Sequence, residues 1–317
     1  MAHEIETMMY VKETPWHGLG TYVGDENVTS DVALSQSGLD WEVNKVPLKT
    51  VFENSVSTHV AIERSTDSKI LGIVGSKYSP MQNREAFSFL DSLVEDGSMR
   101  YHTAGSLRGG QRVWLLGQIG SHEVVPDDRV DQFVMLYNSH DGSSALRVLW
   151  TQVRVVCANT AAMALGASKE KDGMAIRHTL NMDKKVSQAH KVLGLARASA
   201  AKTAEFQKHL AKRSMSESTW LDFVASLVPD SVVEDARNTR RENIREELTN
   251  LFNNGIGTDI AGVRGTQWAA YNAVTEFTNH HSTVKSHKDG LRFENVLFGA
   301  GASLHDRAVQ LLMHDFA

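Results

Sequence analysis

The densest collection of chemistry-bearing side chains is NSHDGSSALRVLWTQVRVVCANT, Asn138 to Thr160. It holds a consecutive serine, histidine and aspartate (Ser139, His140, Asp141), two arginines, a tryptophan and the single cysteine of the chain, Cys157. A catalytic triad needs three side chains converging on one point, with the base between nucleophile and carboxylate. Neighbours on an extended chain point to opposite faces, and the sequence has no Gly-x-Ser-x-Gly elbow. Ser139–Gly142 therefore reads as a hairpin turn, with serine and aspartate bonding the local backbone and glycine taking the left-handed position. Cys157 follows Val153, Val155 and Val156 and reads as a small buried apolar residue. A hydrolase-like enzyme working at the Asn138–Asp141 turn or through Cys157 is the alternative. His280, His281 and His287 form the densest histidine group but lack a His-Glu-x-x-His pattern or a cysteine partner, so no metal and no cofactor is expected.

What remains is binding chemistry. Arg108 and Arg112 flank the Gly109-Gly110 turn, and Arg147 and Arg154 bracket Trp150. Guanidinium forks suit phosphates, and an aromatic ring offers a stacking face to a base. Further along, at about 100° per residue, Lys184, Lys191 and Lys202 fall on one helix face. Val186, Ala189, Leu193, Ala196, Ala200 and Ala204 form the opposite, apolar seam. Arg108, Arg112, Arg147, Arg154, Lys184, Lys191 and Lys202 are the candidate phosphate contacts, and Trp150 the candidate base contact. The expected partner is single-stranded nucleic acid.

These residues need elements to carry them. WEVNKVPL (41–48), THVAIER (58–64) and KILGIV (69–74) are strand-like, and a helix follows from Asn83, which can cap it. Ala86, Phe87, Leu90, Leu93 and Val94 give that helix one apolar face. MRYHTAGSL and QRVWLLGQI pair across Arg108-Gly109-Gly110, and QFVMLYN and SSALRVLW across Ser139–Gly142. This predicts an antiparallel sheet of roughly six to eight strands with an inserted helix. NTAAMALGA reads as a short helix start and MAIRHT (174–179) as one more strand. Helices are expected for about 30 residues from Asn181, then at 217–227, 232–252, 266–281 and 302–315, with a glycine-rich loop at 257–266. The fold class is α+β: a curved antiparallel sheet domain over 1–180 and a helical region over 181–317 that packs on it or mediates oligomerisation.

Composition fits a soluble globular chain: 317 residues, 41% hydrophobic, 22% charged and five prolines. No apolar run reaches the length a membrane span needs. The first residues lack the pattern of a signal peptide, and a lone cysteine suits a reducing cytosol. The net charge of −5 is uneven. Residues 1–97 carry 7 Lys/Arg against 15 Asp/Glu, whereas residues 145–213 carry 13 against 4. A basic segment between acidic flanks suits an anionic partner or neutralises acidic neighbours.

Five stretches together resemble the DUF932, or phage/plasmid-like, family of proteins of unknown function. They are TPWHGLG (14–20), LGIVGSKYSPMQNREAFSFLD (71–91), NSHDGSSALRVLWTQVRVVCANT (138–160), IRHT (176–179) and TQWAAYNAVTEF (266–277). Arg154 to Thr160 match the family's Arg-Val-Val-Cys-x-Asn-Thr pattern. The resemblance implies a mobile element in a bacterial cytoplasm and no established activity. A curved antiparallel sheet with an inserted helix is also similar in architecture to the Rad52/Redβ type of single-strand annealing protein, which implies a ring-forming homo-oligomer that holds DNA in a basic groove. A structural or host-interaction protein, such as an inhibitor of a defence system binding a host protein, is the third function class.

Overall fold

The computed structural model describes residues 5–12, 19–24, 28–144, 146–154, 159–161, 174–175, 182–230, 236–283 and 295–313. It is an α+β protein with a sheet-rich N-terminal half and a helical C-terminal half. The strands are β1 (Ile5–Tyr10), β2 (Thr21–Tyr22), β3 (Val43–Lys49), β4 (Ser55–Arg64), β5 (Ile70–Gly75), β6 (Arg100–Leu107), β7 (Arg112–Glu123), β8 (Arg129–Ser139), β9 (Arg147–Arg154), β10 (Asn159–Ala161) and β11 (Met174–Ala175). The helices are α1 (Ser30–Gln36), α2 (Asn83–Glu95), α3 (Met182–Lys212), α4 (Glu217–Leu227), α5 (Ala236–Asn254), α6 (Gln267–Glu276) and α7 (Ala300–Met313). A π-turn over Phe277–His281 extends α6.

The chain forms two compact units, neither of them a continuous stretch. The first takes residues 1–120, 133–150 and 168–197; the second takes 121–132, 151–167 and 198–317.

The expected single sheet is in fact two. One runs β10-β9-β8-β7-β6-β1-β2 with β11 on β9, and the other is the antiparallel meander β3-β4-β5. The reason is the partner of β6. It pairs with β1, from the start of the chain, as well as with β7. β5 instead lies against the Asp141 turn: a Cβ on Gly72 would sit 2.5 Å from the Asp141 Cα, so only glycine permits the approach. On the free edge of the meander, β3 carries Lys45, Pro47 and Lys49, and lysine and proline both discourage another strand from adding there.

In the first unit, α2 buries Ala86, Phe87, Leu90 and Leu93, the face its periodicity predicted. They join Met9, Leu39, Ile62, Leu71, Val113, Leu115, Val134 and Leu136 in one core, to which α3 adds Ala189, Val192, Leu193 and Ala196. Fully burying a leucine or phenylalanine stabilises by roughly 1.5–3 kcal/mol relative to exposure. One local expectation changes. Asn83 is the first residue inside α2 rather than its cap. Gln82 holds the cap position, where its backbone N–H donates to Glu85 Oε2 at 3.3 Å, and its amide pairs with both backbone groups of Val43 at 2.9 Å. α1, which hydropathy alone did not announce, starts from Thr29, whose Oγ1 accepts from Val32 N.

The second unit packs helices around α6, every residue of which is buried. Trp220 stacks on Phe252 at 4.2 Å and Trp268 on Tyr271 at 5.2 Å. The Trp268 indole N–H donates to the buried Asp128 carboxylate at 2.8 Å. α4 begins where predicted, because Ser216 Oγ accepts from Thr219 N. NTAAMALGA was expected to start a helix, yet Asn159–Ala161 is a strand paired with β9; the rest of that stretch and residues 176–179 lie outside the described residues.

Candidate functional site

The Asn138–Ser144 turn is built into the first unit from all sides. Ser139 Oγ accepts from Ser144 N at 2.9 Å and donates to Ser144 O at 2.7 Å, closing the turn on itself. Asp141 Oδ1 accepts from Ser143 N at 2.9 Å, and Gly142 takes the left-handed conformation. Tyr78 donates its hydroxyl to Ser139 O, and Gln111 donates its amide to Leu71 O, tying the turn region to the meander.

His140 is fully buried. Its ring lies edge-on to Trp41 at 5.2 Å, and its Nε2 is 2.9 Å from Asn83 Oδ1. The Asn83 amide nitrogen is committed to the carbonyls of Leu39 and Trp41, so its oxygen faces the histidine. An acceptor there requires the proton on Nε2 and leaves Nδ1 bare, and Nδ1 has no hydrogen-bond partner among the described residues. Burial, first, and the neighbouring Arg112 guanidinium lower the His140 pKa to about 4 against the pull of Asp141. His140 is therefore a neutral core residue, withdrawn from any solvent-borne substrate.

Arg112 and Asp141 sit side by side, Nη1 to Oδ2 at 2.5 Å, with side-chain exposures of 6% and 19%. Burial alone would raise the Asp141 pKa, but Arg112 and the Ser143 N–H hold it below the ordinary value. A second buried arginine, Arg64, bonds Glu6 and Asp67 and lies 5.5 Å from the centre of the Trp41 ring. Histidine, arginine and carboxylate do converge around this turn, but as a buried clasp between meander and main sheet.

The basic residues singled out from sequence part company. Arg112 is 5% exposed and ion-paired with Asp141. Arg108 occupies the β6–β7 turn with a φ of 54°, half-buried. Arg147 is half-buried on β9. Trp150 packs partly buried against the first unit's core with its indole N–H enclosed. The side chains of Arg154 and Lys184, and the whole of Cys157, lie outside the described residues. Lys191 is exposed on the first unit's part of α3, and Lys202 on the part in the second unit.

The second unit adds two cations outside the basic residues named above. Lys208 and Lys212 are exposed on α3 beyond Lys202. Their signal was composition: from Ser187 to Arg213 the sequence has six Lys/Arg and one acidic residue, Glu205. Beside them runs a directed chain of hydrogen bonds, part-buried at His122 and buried from Gln207 to Tyr271. Gln132 Nε2 donates to His122 Nδ1 (3.0 Å) and His122 Nε2 to Gln207 Oε1 (2.7 Å). Gln207 Nε2 then donates to Gln152 Oε1 (2.9 Å) and Gln152 Nε2 to the Tyr271 hydroxyl (3.0 Å). This order fixes His122 neutral with its proton on Nε2, and burial lowers its pKa in the same sense. Among the described residues, no group of three or more His, Cys, Asp or Glu is arranged to hold a metal ion, and no helix is long and apolar enough to cross a membrane.

A family described as a domain of unknown function, DUF932, matches residues 70–296. The chain belongs to the DUF932 family. No curated protein and no solved structure matches it. The DUF932 match contains the Asn138–Thr160 stretch, Asn83, Arg112 and the whole of α3, and it begins after the β3–β4 hairpin. Of the five stretches that carried the resemblance, four lie within it, and TPWHGLG precedes it.

Proposed function

We propose that this DUF932 protein is a non-enzymatic binder of single-stranded nucleic acid, working as a homo-oligomer in the recombination or replication of a phage or plasmid. The observation that carries the reading is the second unit's part of α3, where Lys202, Lys208 and Lys212 are exposed and Glu205 is the one acidic residue among them. Exposed ammonium groups on a helix offer a sequence-independent contact to phosphates. The acidic overall charge is no obstacle to this, because the basic excess is concentrated in residues 145–213. The homo-oligomer and the choice of single strands rest on the resemblance read from the sequence alone. The packing of His140 and Ser139 gives no support to hydrolysis at the turn.

Charge reversal on α3 tests the reading. Lys202→Glu/Lys208→Glu, both at exposed positions, leaves the fold intact and weakens binding to a fluorescent oligothymidylate at least roughly tenfold at low salt. It also lowers the slope of log affinity against log salt by about 1.4, since each phosphate contact on a single strand contributes about 0.7. Unchanged affinity and slope in the folded double variant would remove α3 from the interface.

A further inference from the structure

We propose that Phe52, at the tip of the β3–β4 hairpin, is the platform on which an unpaired nucleobase stacks; this rests on the nucleic-acid reading above. Phe52 is 83% exposed and its neighbour Val51 91%. Tips that expose two such residues are usually mobile, but this one is tied down. Thr50 N donates to Asn54 O at 2.8 Å and Glu53 N to Thr50 O at 2.9 Å. Thr50 Oγ1 accepts from both Phe52 N and Asn54 N, at 3.3 and 3.2 Å. Glu53 adopts a φ of 63°, the left-handed conformation that lets the short loop close. The ring is thus held out in solvent on a fixed backbone, and it stacks on no other aromatic group among the described residues.

The surroundings point to a base rather than an apolar partner. Thr50, Asn54 and Ser55 beside the ring in sequence, and Ser57, Thr58 and His59 further along β4, are all exposed, uncharged hydrogen-bonding groups. Residues 43–62 carry Lys45, Lys49 and one acidic residue, Glu53, inside an N-terminal stretch that is otherwise strongly acidic. Lys49 pairs with Glu53 at 2.7 Å, but both side chains are largely exposed (59% and 79%), so the pair is weak and open to exchange for a phosphate. A second copy of the chain is a poor fit. Two side chains bury a few hundred Å² at most, whereas a stable protein interface needs about 1,200 Å² or more. Addition of a strand alongside the hairpin is opposed by Lys45, Pro47 and Lys49 on its free edge.

The test compares wild type, Phe52→Ala and Phe52→Trp in binding to oligothymidylate, with sedimentation velocity of each protein alone. Phe52→Ala weakens binding roughly 5- to 150-fold, the range for loss of one base–aromatic stack, with the salt slope unchanged because no phosphate contact is lost. Phe52→Trp keeps wild-type affinity or better, and its added indole is quenched by the bound strand. Wild-type binding with Phe52→Ala equal within about twofold overturns the stacking role while leaving the lysine face standing. Failure of wild type itself to bind overturns both. A changed sedimentation coefficient in Phe52→Ala assigns the tip to self-association instead, and loss of co-sedimentation with phosphatidylglycerol vesicles assigns it to a lipid surface; either result also overturns the proposal.

Discussion

Asp141→Asn destabilises the protein by roughly 3–5 kcal/mol, the cost of removing one partner of a buried ion pair. The substitution keeps size and shape, and the asparagine oxygen still accepts from Ser143 N, so the turn itself survives. What it removes is the negative charge opposite Arg112, whose side chain is 6% exposed. At roughly 2–4 °C per kcal/mol, the melting temperature falls on the order of 10 °C. Arg112→Met costs less, because Asp141 is the more exposed partner. The double variant is less destabilised than the sum of the two singles, since neither charge is then orphaned. Thermal melts of the four proteins measure this cycle. A shift under about 2 °C in Asp141→Asn contradicts the buried-clasp description.

Acid weakens both units in a defined window. His140 in the first and His305 in the second are buried, and burial lowers each pKa to about 4. Unfolded histidine titrates near 6.5, so between that value and about 4 the unfolded chain binds more protons than the folded one. Stability is therefore fully present above pH 6.5 and is lost as pH falls toward 4. Each group contributes on the order of 3 kcal/mol to that loss. His122 adds to it in the second unit, because a proton on Nδ1 would face the Gln132 amide donor and break the hydrogen-bond chain. The lowered carboxyl groups Asp67 and Asp141 act further down, as pH falls through their folded pKa values, about 2 for Asp67. Urea unfolding midpoints at pH 7.5, 5.5 and 4.5 should fall in order. Midpoints that stay level over this range contradict the burial of neutral histidines.

The elements were easier to anticipate than their partners. The α2 face and the span of α4 follow from local signals, an apolar period and a capping serine, which act within one or two turns. The second sheet was hidden because the partner of β6 is β1, far earlier in the sequence, and pairing that distant leaves no local mark. Asn83 illustrates an ambiguity of residue type: an asparagine before an apolar run looks like a cap whether it bonds its own helix or, as here, bridges two carbonyls and a histidine. Arg112 illustrates another. An arginine beside a turn looks available until the opposing turn delivers Asp141 to it. Phe52 was passed over because Val-Phe beside a strand resembles core; the polar residues on either side, Lys49-Thr50 and Glu53-Asn54-Ser55, were the sign that the pair ends a hairpin.

The proposal that exposed cations of this DUF932 chain hold single-stranded nucleic acid through its phosphates makes binding salt-dependent. The direct measurement is the affinity of the wild-type chain for oligothymidylate across a salt series from about 50 to 200 mM. The account predicts a linear log–log fall with a slope of about −2 to −3, as expected when three or four phosphates are neutralised on a single strand. Absence of binding at 50 mM salt, or binding that salt leaves unchanged, contradicts it.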